Sequence, residues 1–148
     1  MPAGSAAALI CDTGALIDYL VESAPDHRLF RHAIERARTR YVPGLVLAEV
    51  DYFLRDERAA MQAFMQDLSG GAFTYAPPTL GQLSRAMDVD RRFGDLRLGL
   101  VDSSVVALAE SIGVYRLATR DVRHFAAVRL ADGSGFELVV HPTDPDKS

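Results

Sequence analysis

Lysine is almost missing from this 148-residue sequence, in which Lys147 is the only one. The single cysteine, Cys11, excludes a disulfide framework and gives no indication of export. The first eight residues carry no positively charged side chain, and the apolar stretch up to Cys11 is too short for a signal peptide or a membrane span. Glycine-rich phosphate loops of the Walker or dinucleotide-binding type are also missing. We therefore expect a cytoplasmic protein that lacks a nucleotide-binding loop of either type.

The positive charge is almost entirely arginine, and the net charge is −4. A negative balance argues against indiscriminate binding of nucleic acid through phosphate neutralisation. Arginine does suit phosphate and carboxylate recognition better than lysine. The abundance of arginine and alanine has a simpler explanation in a GC-rich genome, so it carries little functional weight.

Short apolar segments alternate with helical patterns along the chain, which predicts an α/β fold with a central parallel sheet, a three-layer α/β/α sandwich. We expect one domain over residues 1–141 and a loose, proline-rich tail over 142–148. The predicted strands cover residues 7–11, 41–42, 73–76 (an edge strand), 115–119 and 136–140. The predicted helices cover residues 15–21, 26–38, 45–54, 57–68, 79–93 and 101–112, with Asp26 and Thr79 as caps and a loop over 94–99.

Three aspartates fall at one end of this predicted sheet. Asp12 follows the first strand directly, and Asp121 comes two residues after the strand over 115–119. Asp102 lies in the first turn of a helix that enters from a loop. Active sites of open parallel sheets gather beyond the carboxyl ends of the strands, so position alone places all three acids at the mouth of the sheet.

Glu49 is harder to explain as a surface residue. Its helical neighbours three and four positions away include Val46, Tyr52 and Phe53, so its face of the helix is apolar. A carboxylate on such a face should be partly buried, and an unpaired buried charge is costly. Something must therefore stabilise this glutamate.

Four converging carboxylates need a counter-charge. Two like charges about 4 Å apart repel by roughly 4 kcal/mol at an effective dielectric of about 20. Oxygen ligands without histidine or cysteine beside them favour Mg²⁺ or Mn²⁺ over zinc, and such clusters typically act on phosphate esters. The spacing of the histidines indicates surface or turn roles rather than metal binding; they are His27, His32, His124 and His141.

Each acid also has a structural alternative. Asp12 and Asp102 could be helix N-caps, Asp121 could begin a turn or short helix, and Glu49 could pair with Arg92 or Arg97. The Asp-Thr-Gly triplet that begins at Asp12 also occurs in aspartic proteases. Those enzymes are all-β proteins, which the alternating strands and helices of this chain exclude.

Four ordered segments, spread from Leu9 to Val140, resemble the PIN-domain ribonucleases, specifically the VapC-type toxins of prokaryotic toxin–antitoxin pairs. The segment over 10–16 is similar to the family's opening of a hydrophobic residue followed by Asp, Thr or Ser, a small residue, Ala and Leu. The segments over 46–50 and 95–102 resemble those that supply a glutamate and an aspartate, and 117–125 resembles the closing Thr-x-Asp-x-x-His-Phe. Gly14 stands where serine or alanine is more usual, and Val101 and Ser103 flank Asp102 where alanines are common.

The resemblance implies a PIN fold, an Mg²⁺- or Mn²⁺-dependent endoribonuclease acting on structured RNA such as tRNA or rRNA, a homodimer, and a VapB-type antitoxin that blocks the site. It implies no membrane. In the resulting mechanistic hypothesis Asp12, Asp102 and Asp121 are metal ligands, and Glu49 is a ligand or orients the attacking water. Thr13 forms a hydrogen bond at the site, and Asp95 is a supporting acid or a loop cap. The candidate RNA contacts are Arg91, Arg92, Arg97, Arg120 and Arg123.

Two rival functions remain open at this point. A phospho-acceptor signalling domain also places aspartates at strand ends, but it normally needs a lysine there, and Lys147 lies in the predicted tail. A catalytically silent RNA-binding module could keep the same fold. Binding of RNA without turnover in Mn²⁺ would support that second alternative.

Overall fold

The computed structural model describes residues 8–143 as five strands, seven α-helices and a short 3-10 helix. The strands are β1 (Ala8–Cys11), β2 (Thr39–Pro43), β3 (Thr74–Ala76), β4 (Arg116–Ala118) and β5 (Glu137–Leu138). The helices are α1 (Thr13–Leu20), α2 (His27–Arg36), α3 (Gly44–Phe53), α4 (Arg58–Ser69), α5 (Leu80–Arg92), α6 (Gly99–Ile112) and α7 (Val122–Ala127). The 3-10 helix is Gly94–Leu96.

The five strands form one sheet in the order β3-β2-β1-β4-β5, and every strand pair is parallel. All four residues of β1 are buried, which requires cover on both faces of the sheet. The core extends from β1 through Val42 of β2 and Leu117 of β4 into the flanking helices. The predicted α/β sandwich with a parallel sheet is thereby confirmed, with β3 at the edge.

The strand order reverses at the centre of the sheet. The chain runs from β1 outward through β2 to β3, then returns to place β4 on the other side of β1. Crevices form at such switch points beyond the carboxyl ends of the strands, because the two following connections diverge to opposite sides. The topology therefore opens a cleft where Asp12 and Thr119 follow their strands.

Local predictions were confirmed in part. Thr79 caps α5 in a reciprocal capping box with Gln82. Asp26 was predicted as a cap but forms no cap hydrogen bond, because its carboxylate is engaged elsewhere. The segment after Asp121 forms the short helix α7, and the 3-10 helix lies inside the predicted loop over 94–99.

The chain stays packed beyond the predicted domain end at residue 141. Pro142 is buried, and the backbone N–H of Thr143 donates to Oδ2 of Asp26 at 3.2 Å. The tail predicted as loose from residue 142 is therefore attached at its first two residues. The predictions for residues 1–7, including the first strand residue, and for 144–148 lie outside the described residues. Across residues 8–143 no helix has the length and apolarity needed to cross a membrane.

Candidate active site

The two central strands bring Asp12 and Asp121 together through one threonine. The backbone N–H of Asp12 donates to the carbonyl oxygen of Ala118 at 2.9 Å, which fixes the end of β1 beside β4. The hydroxyl of Thr119 donates to Oδ2 of Asp12 at 2.7 Å and accepts the backbone N–H of Asp121 at 2.9 Å. This buried hydroxyl is thus both a donor and an acceptor, and it fixes the two aspartates relative to each other.

Two helices add the remaining acids. Glu49 lies in the middle of α3, half-buried, and its Oε1 accepts a hydrogen bond of 2.6 Å from the hydroxyl of Thr13. Asp102 lies in the first turn of α6. The loop before it is held by Oδ1 of Asp90, which accepts the backbone N–H of Gly99 at 3.0 Å. The four predicted acids and Thr13 all line one pocket of about 350 Å³.

Burial and mutual repulsion make two of these acids hard to ionise. Burial raises the pKa of Asp12 to about 6, against the hydrogen bond from Thr119, and the charges of Glu49 and Asp121 raise it further. Burial also raises the pKa of Asp102 to about 8, and the charges of Asp12, Asp121 and Glu49 add to the effect. Four ionised carboxylates in this pocket would therefore need an added positive charge to stabilise them.

The donor set fits a divalent cation. Oδ1 of Asp12 is buried and has no hydrogen-bond partner among the described residues. Ligand atoms of Asp102, Asp121 and His124 lie within 4.8 Å of one another. An unsatisfied buried carboxylate oxygen beside such a group is what a metal site requires, and three of its ligands would be the hard oxygens that Mg²⁺ and Mn²⁺ prefer.

His124, for which the sequence predicts a surface or turn role, belongs to this cluster. Its Nδ1 lies 2.8 Å from Oδ2 of Asp121, one helical turn earlier. The Asp-x-x-His spacing across the start of α7 could have predicted this contact, since residues three apart on a helix share a face. The absence of a second histidine nearby obscured it.

The structural alternatives for three of the acids do not hold. Asp12 precedes α1 but forms no side-chain cap hydrogen bond, and Asp102 lies inside α6 rather than at its cap. Among residues 8–143, no ion pair joins an arginine to Asp12, Glu49 or Asp102. Asp121 does precede a short helix, α7, and it combines that position with its place in the pocket.

Arg120, one of the predicted RNA contacts, lines the acidic pocket and is held there by two aspartates. Its Nη1 donates to Oδ2 of Asp18 at 2.6 Å and to Oδ2 of Asp26 at 2.9 Å. The arginine side chain is 11% exposed, and those of the two aspartates are 7% and 1% exposed. Its stem runs across α1, where a Cβ on Gly14 would lie 3.0 Å from Cγ of Arg120. This arginine therefore fastens the β4–α7 turn to α1 and α2.

The other predicted site residues lie on the surface. Asp95 is exposed in the 3-10 helix and is not among the residues that line the acidic pocket. Arg91 pairs with Asp88, and the guanidinium of Arg92 lies 5.1 Å from the ring centroid of Phe93. Arg97 and Arg123 are exposed as well. The structure thus brings together the four acids and Thr13, and keeps Asp95 and these arginines outside the pocket.

Comparison with known proteins agrees with this arrangement. The model of the PIN-domain family matches residues 9–130. The chain belongs to the PIN-domain family. Within it, the chain is 31% identical over 134 residues to Ribonuclease VapC26 of Mycobacterium tuberculosis, covering 88% of this chain and 99% of that protein. It is therefore a VapC-type PIN protein.

Solved toxin structures share the fold. M. tuberculosis VapC20, a toxin that cleaves the sarcin-ricin loop, matches with a TM-score of 0.66 at 18% identity, covering 74% of this chain and 86% of that one. A toxin–antitoxin complex from Klebsiella pneumoniae matches with a TM-score of 0.66 at 21% identity, covering 81% and 92%. At these identities the structures support the PIN fold alone.

Proposed function

We propose that this VapC-type PIN protein is an Mg²⁺- or Mn²⁺-dependent endoribonuclease, the toxin of a toxin–antitoxin pair, which hydrolyses phosphodiester bonds in structured RNA such as tRNA or rRNA. The observation that carries the proposal is the pocket at the switch point of the sheet. There, buried Asp12 and half-buried Asp102 lie with Glu49 and Asp121, and one oxygen of Asp12 has no partner among the described residues.

The residues that would hold the metal are Asp12, Asp102 and Asp121, and the position of His124 adds one nitrogen to that set. A divalent ion bound there would supply a Lewis acid that lowers the pKa of water and stabilises charge on the phosphate oxygens. One or two ions would be compatible with four carboxylates.

The side chains of the protein position the other participants. Thr13 fixes one oxygen of Glu49, which leaves this glutamate in a defined orientation to align the attacking water or to act as a further ligand. Thr119 fixes Asp12 relative to Asp121. We propose that exposed arginines contact the RNA backbone outside the acidic pocket; these are Arg91, Arg92, Arg97 and Arg123.

The proposed partners follow from relatives. The structure from K. pneumoniae is a toxin–antitoxin complex, and the VapBC2 complex of Rickettsia felis, with a TM-score of 0.61 at 12% identity over 80% of this chain and 90% of that one, is bound to a DNA fragment from its promoter. We propose a VapB-type antitoxin that blocks the pocket, and a homodimer. The cytoplasmic location stays a prediction.

The first experiment compares cleavage of total RNA by the wild-type protein and an Asp12→Asn variant, with Mg²⁺, with Mn²⁺ and with a chelator, and maps the new 5′ ends by sequencing. We expect a discrete set of cuts that the chelator abolishes. The substitution should reduce cleavage by more than about 100-fold, because residues that only support metal ligands already cost 10- to 100-fold. Asp67→Asn, on the exposed side of α4, is the matched control and should cleave normally.

Full cleavage by Asp12→Asn in Mg²⁺ would refute the proposed role of the pocket. The second candidate function, a silent RNA-binding module, would be supported if the wild-type protein retained RNA on a filter and produced no new 5′ ends in Mn²⁺.

A further inference from the structure

Two large aromatic side chains in mutual contact are exposed at the end of α3, and one of them lines the acidic pocket. Tyr52 and Phe53 close α3 with 60% and 58% of their surfaces exposed. Phe53 lines the same pocket as the four carboxylates. Helical spacing puts these residues on the apolar face that carries Glu49, and their exposure does not follow from that spacing. Their apolar surface is available beside the site.

The helix places the aromatic pair directly after Glu49. Residues 49, 52 and 53 are separated by three and four positions, so they follow one stripe of α3 from the pocket to its rim. The two rings pack edge to face, with centroids 5.5 Å apart and planes at 76°. The guanidinium of Arg55 lies 4.3 Å from the centroid of Tyr52, and its Nη1 donates to the Tyr52 carbonyl oxygen at 2.8 Å. The pair is thus braced, with a positive charge beside it.

This combination suits an unpaired nucleobase. Every base presents a π face that stacks on aromatic side chains irrespective of sequence, and an arginine at the edge of the platform can meet the adjoining phosphate. Bases within a duplex are stacked on one another and offer no free face next to the backbone. An acidic pocket attracts no phosphate by itself. Stacking of a base on the aromatic rings would therefore supply binding energy for the RNA chain beside the pocket.

We propose that Phe53, together with Tyr52, forms a stacking platform for an unpaired base of the RNA, next to the phosphodiester bond that is cut. This inference rests on the proposed ribonuclease function and specifies its substrate: a single-stranded segment or loop of a structured RNA. Phe53 is a binding and specificity residue in this proposal and takes no part in bond cleavage.

A protein partner is the competing occupant of this surface. A separate, larger groove of about 680 Å³ is lined by apolar side chains of α3, α4 and β3, among them Leu47, Met61 and Tyr75. That groove offers apolar area away from the acids, whereas Phe53 shares its pocket with the reacting site. The location of Phe53 therefore favours the substrate over a protein that only needs apolar contact.

The kinetic test uses Phe53→Ala, Phe53→Trp and the control Tyr75→Ala on an RNA with an unpaired cleavage site. We expect KM to rise by about 5- to 100-fold for Phe53→Ala, with Phe53→Trp near the wild-type value and Tyr75→Ala unchanged. Since Phe53 is exposed, its truncation should leave the fold intact, and thermal unfolding verifies this. An unchanged KM for Phe53→Ala would overturn the proposal.

The absence of tryptophan allows a direct optical test. Phe53→Trp carries the only indole, and stacking of a base should quench its fluorescence when unpaired RNA is added. A fully paired duplex of the same sequence should not quench it, and neither RNA should quench Tyr75→Trp. RNA retained on a filter without quenching of Phe53→Trp would overturn the proposal.

Two further outcomes separate the possible failures. If Phe53→Ala weakens binding of the antitoxin while KM for RNA is unchanged, the aromatic pair serves a protein partner and the stacking proposal is wrong. If the wild-type protein neither retains nor cleaves any RNA, the proposed function itself has failed, and that result is read without any Phe53 variant.

Discussion

Two groups of carboxylates, one of which reaches the acidic pocket through Asp18, differ in how their charge is balanced. Asp18 on α1 and Asp26 before α2 flank the guanidinium of Arg120, so a cation from the chain itself lies between them. The group at the ends of the central strands has four carboxylates, Asp12, Glu49, Asp102 and Asp121. Among the described residues, the ion pair found in that group joins Asp121 to a histidine, His124.

The pKa of Asp26 reflects this contrast, whereas that of Asp18 does not. Burial would raise the pKa of Asp26, but hydrogen bonds from Arg120 and Thr143 outweigh it and hold the pKa below its ordinary value. Burial raises the pKa of Asp18 despite Arg120 beside it. In the four-acid group, burial and like charges act together, and the pKa values of Asp12 and Asp102 rise to about 6 and about 8. The fold thus supplies an arginine to Asp18 and Asp26, whereas among residues 8–143 no ion pair joins an arginine to Asp12, Glu49 or Asp102.

Removing the internal cation should give the largest effect. Arg120→Met leaves Asp18 and Asp26 buried without their partner, so we expect the free energy of unfolding to fall by about 3–5 kcal/mol. Urea denaturation measures the loss. Arg91→Met is the control, because Arg91 and Asp88 are exposed and such a pair contributes at most about 1 kcal/mol. Equal losses in the two variants would mean that the buried pairs are not structural.

A smaller effect follows from pH in the four-acid group. In metal-free protein, folded Asp102 keeps its proton up to about pH 8, whereas in the unfolded chain its pKa has the ordinary aspartate value of 3.8. Stability contributed by this group therefore falls as pH rises between those values. Because Asp102 is only half-buried, we expect about 2 kcal/mol rather than the full shift. Urea titrations from pH 5 to 8 measure it.

Asp102→Asn sharpens that test. The variant cannot gain the buried charge, so it should be more stable than the wild-type protein at pH 8 and similar at pH 5. Addition of Mn²⁺ should stabilise the wild-type protein more at pH 8 than at pH 5. A wild-type protein without metal that becomes more stable toward pH 8 by the same amount as Asp102→Asn would contradict the assigned direction.

The smallest expected effect concerns the hydroxyl that orients Glu49. Thr13→Val keeps the shape but removes the donor to Oε1 of Glu49, and we expect kcat/KM to fall by about 10- to 100-fold. Thr13→Ser keeps the donor and should recover most of the rate. The Mn²⁺ concentration needed for half-maximal activity separates an effect on the metal from one on the water. A Ser variant as slow as Val would indicate packing instead.

The sequence was sufficient to predict that the four acids lie together, because each is tied to a local pattern, while their roles stay predictions. Asp12 follows a short apolar run, which indicates a buried strand, and Glu49 interrupts an apolar helix, so both stand out without knowledge of tertiary structure. The parallel sheet then follows from alternation of elements, and its strand ends collect the acids.

The Arg120 group could not be predicted in the same way. Its partners Asp18 and Asp26 lie 102 and 94 positions earlier, and each has an innocuous local explanation on or before a helix. Pairing over such separations depends on how α1, α2 and the β4–α7 turn pack. The exposure of Phe53 was missed for a related reason: helical spacing defines a face but not where the neighbouring elements stop covering it.

The contact between Gly14 and Arg120 bears on how such a protein can change over evolutionary time. The stem of Arg120 occupies the volume that a methyl group at position 14 would need, and its guanidinium is held at the other end by two buried aspartates, so the stem has little room to move aside. A side chain at position 14 requires the Arg120 stem to move by a few tenths of an ångström. A movement that broke the ion pairs would leave Asp18 and Asp26 without their cation. We therefore expect the tolerance of position 14 for a side chain to depend on residues 18, 26 and 120.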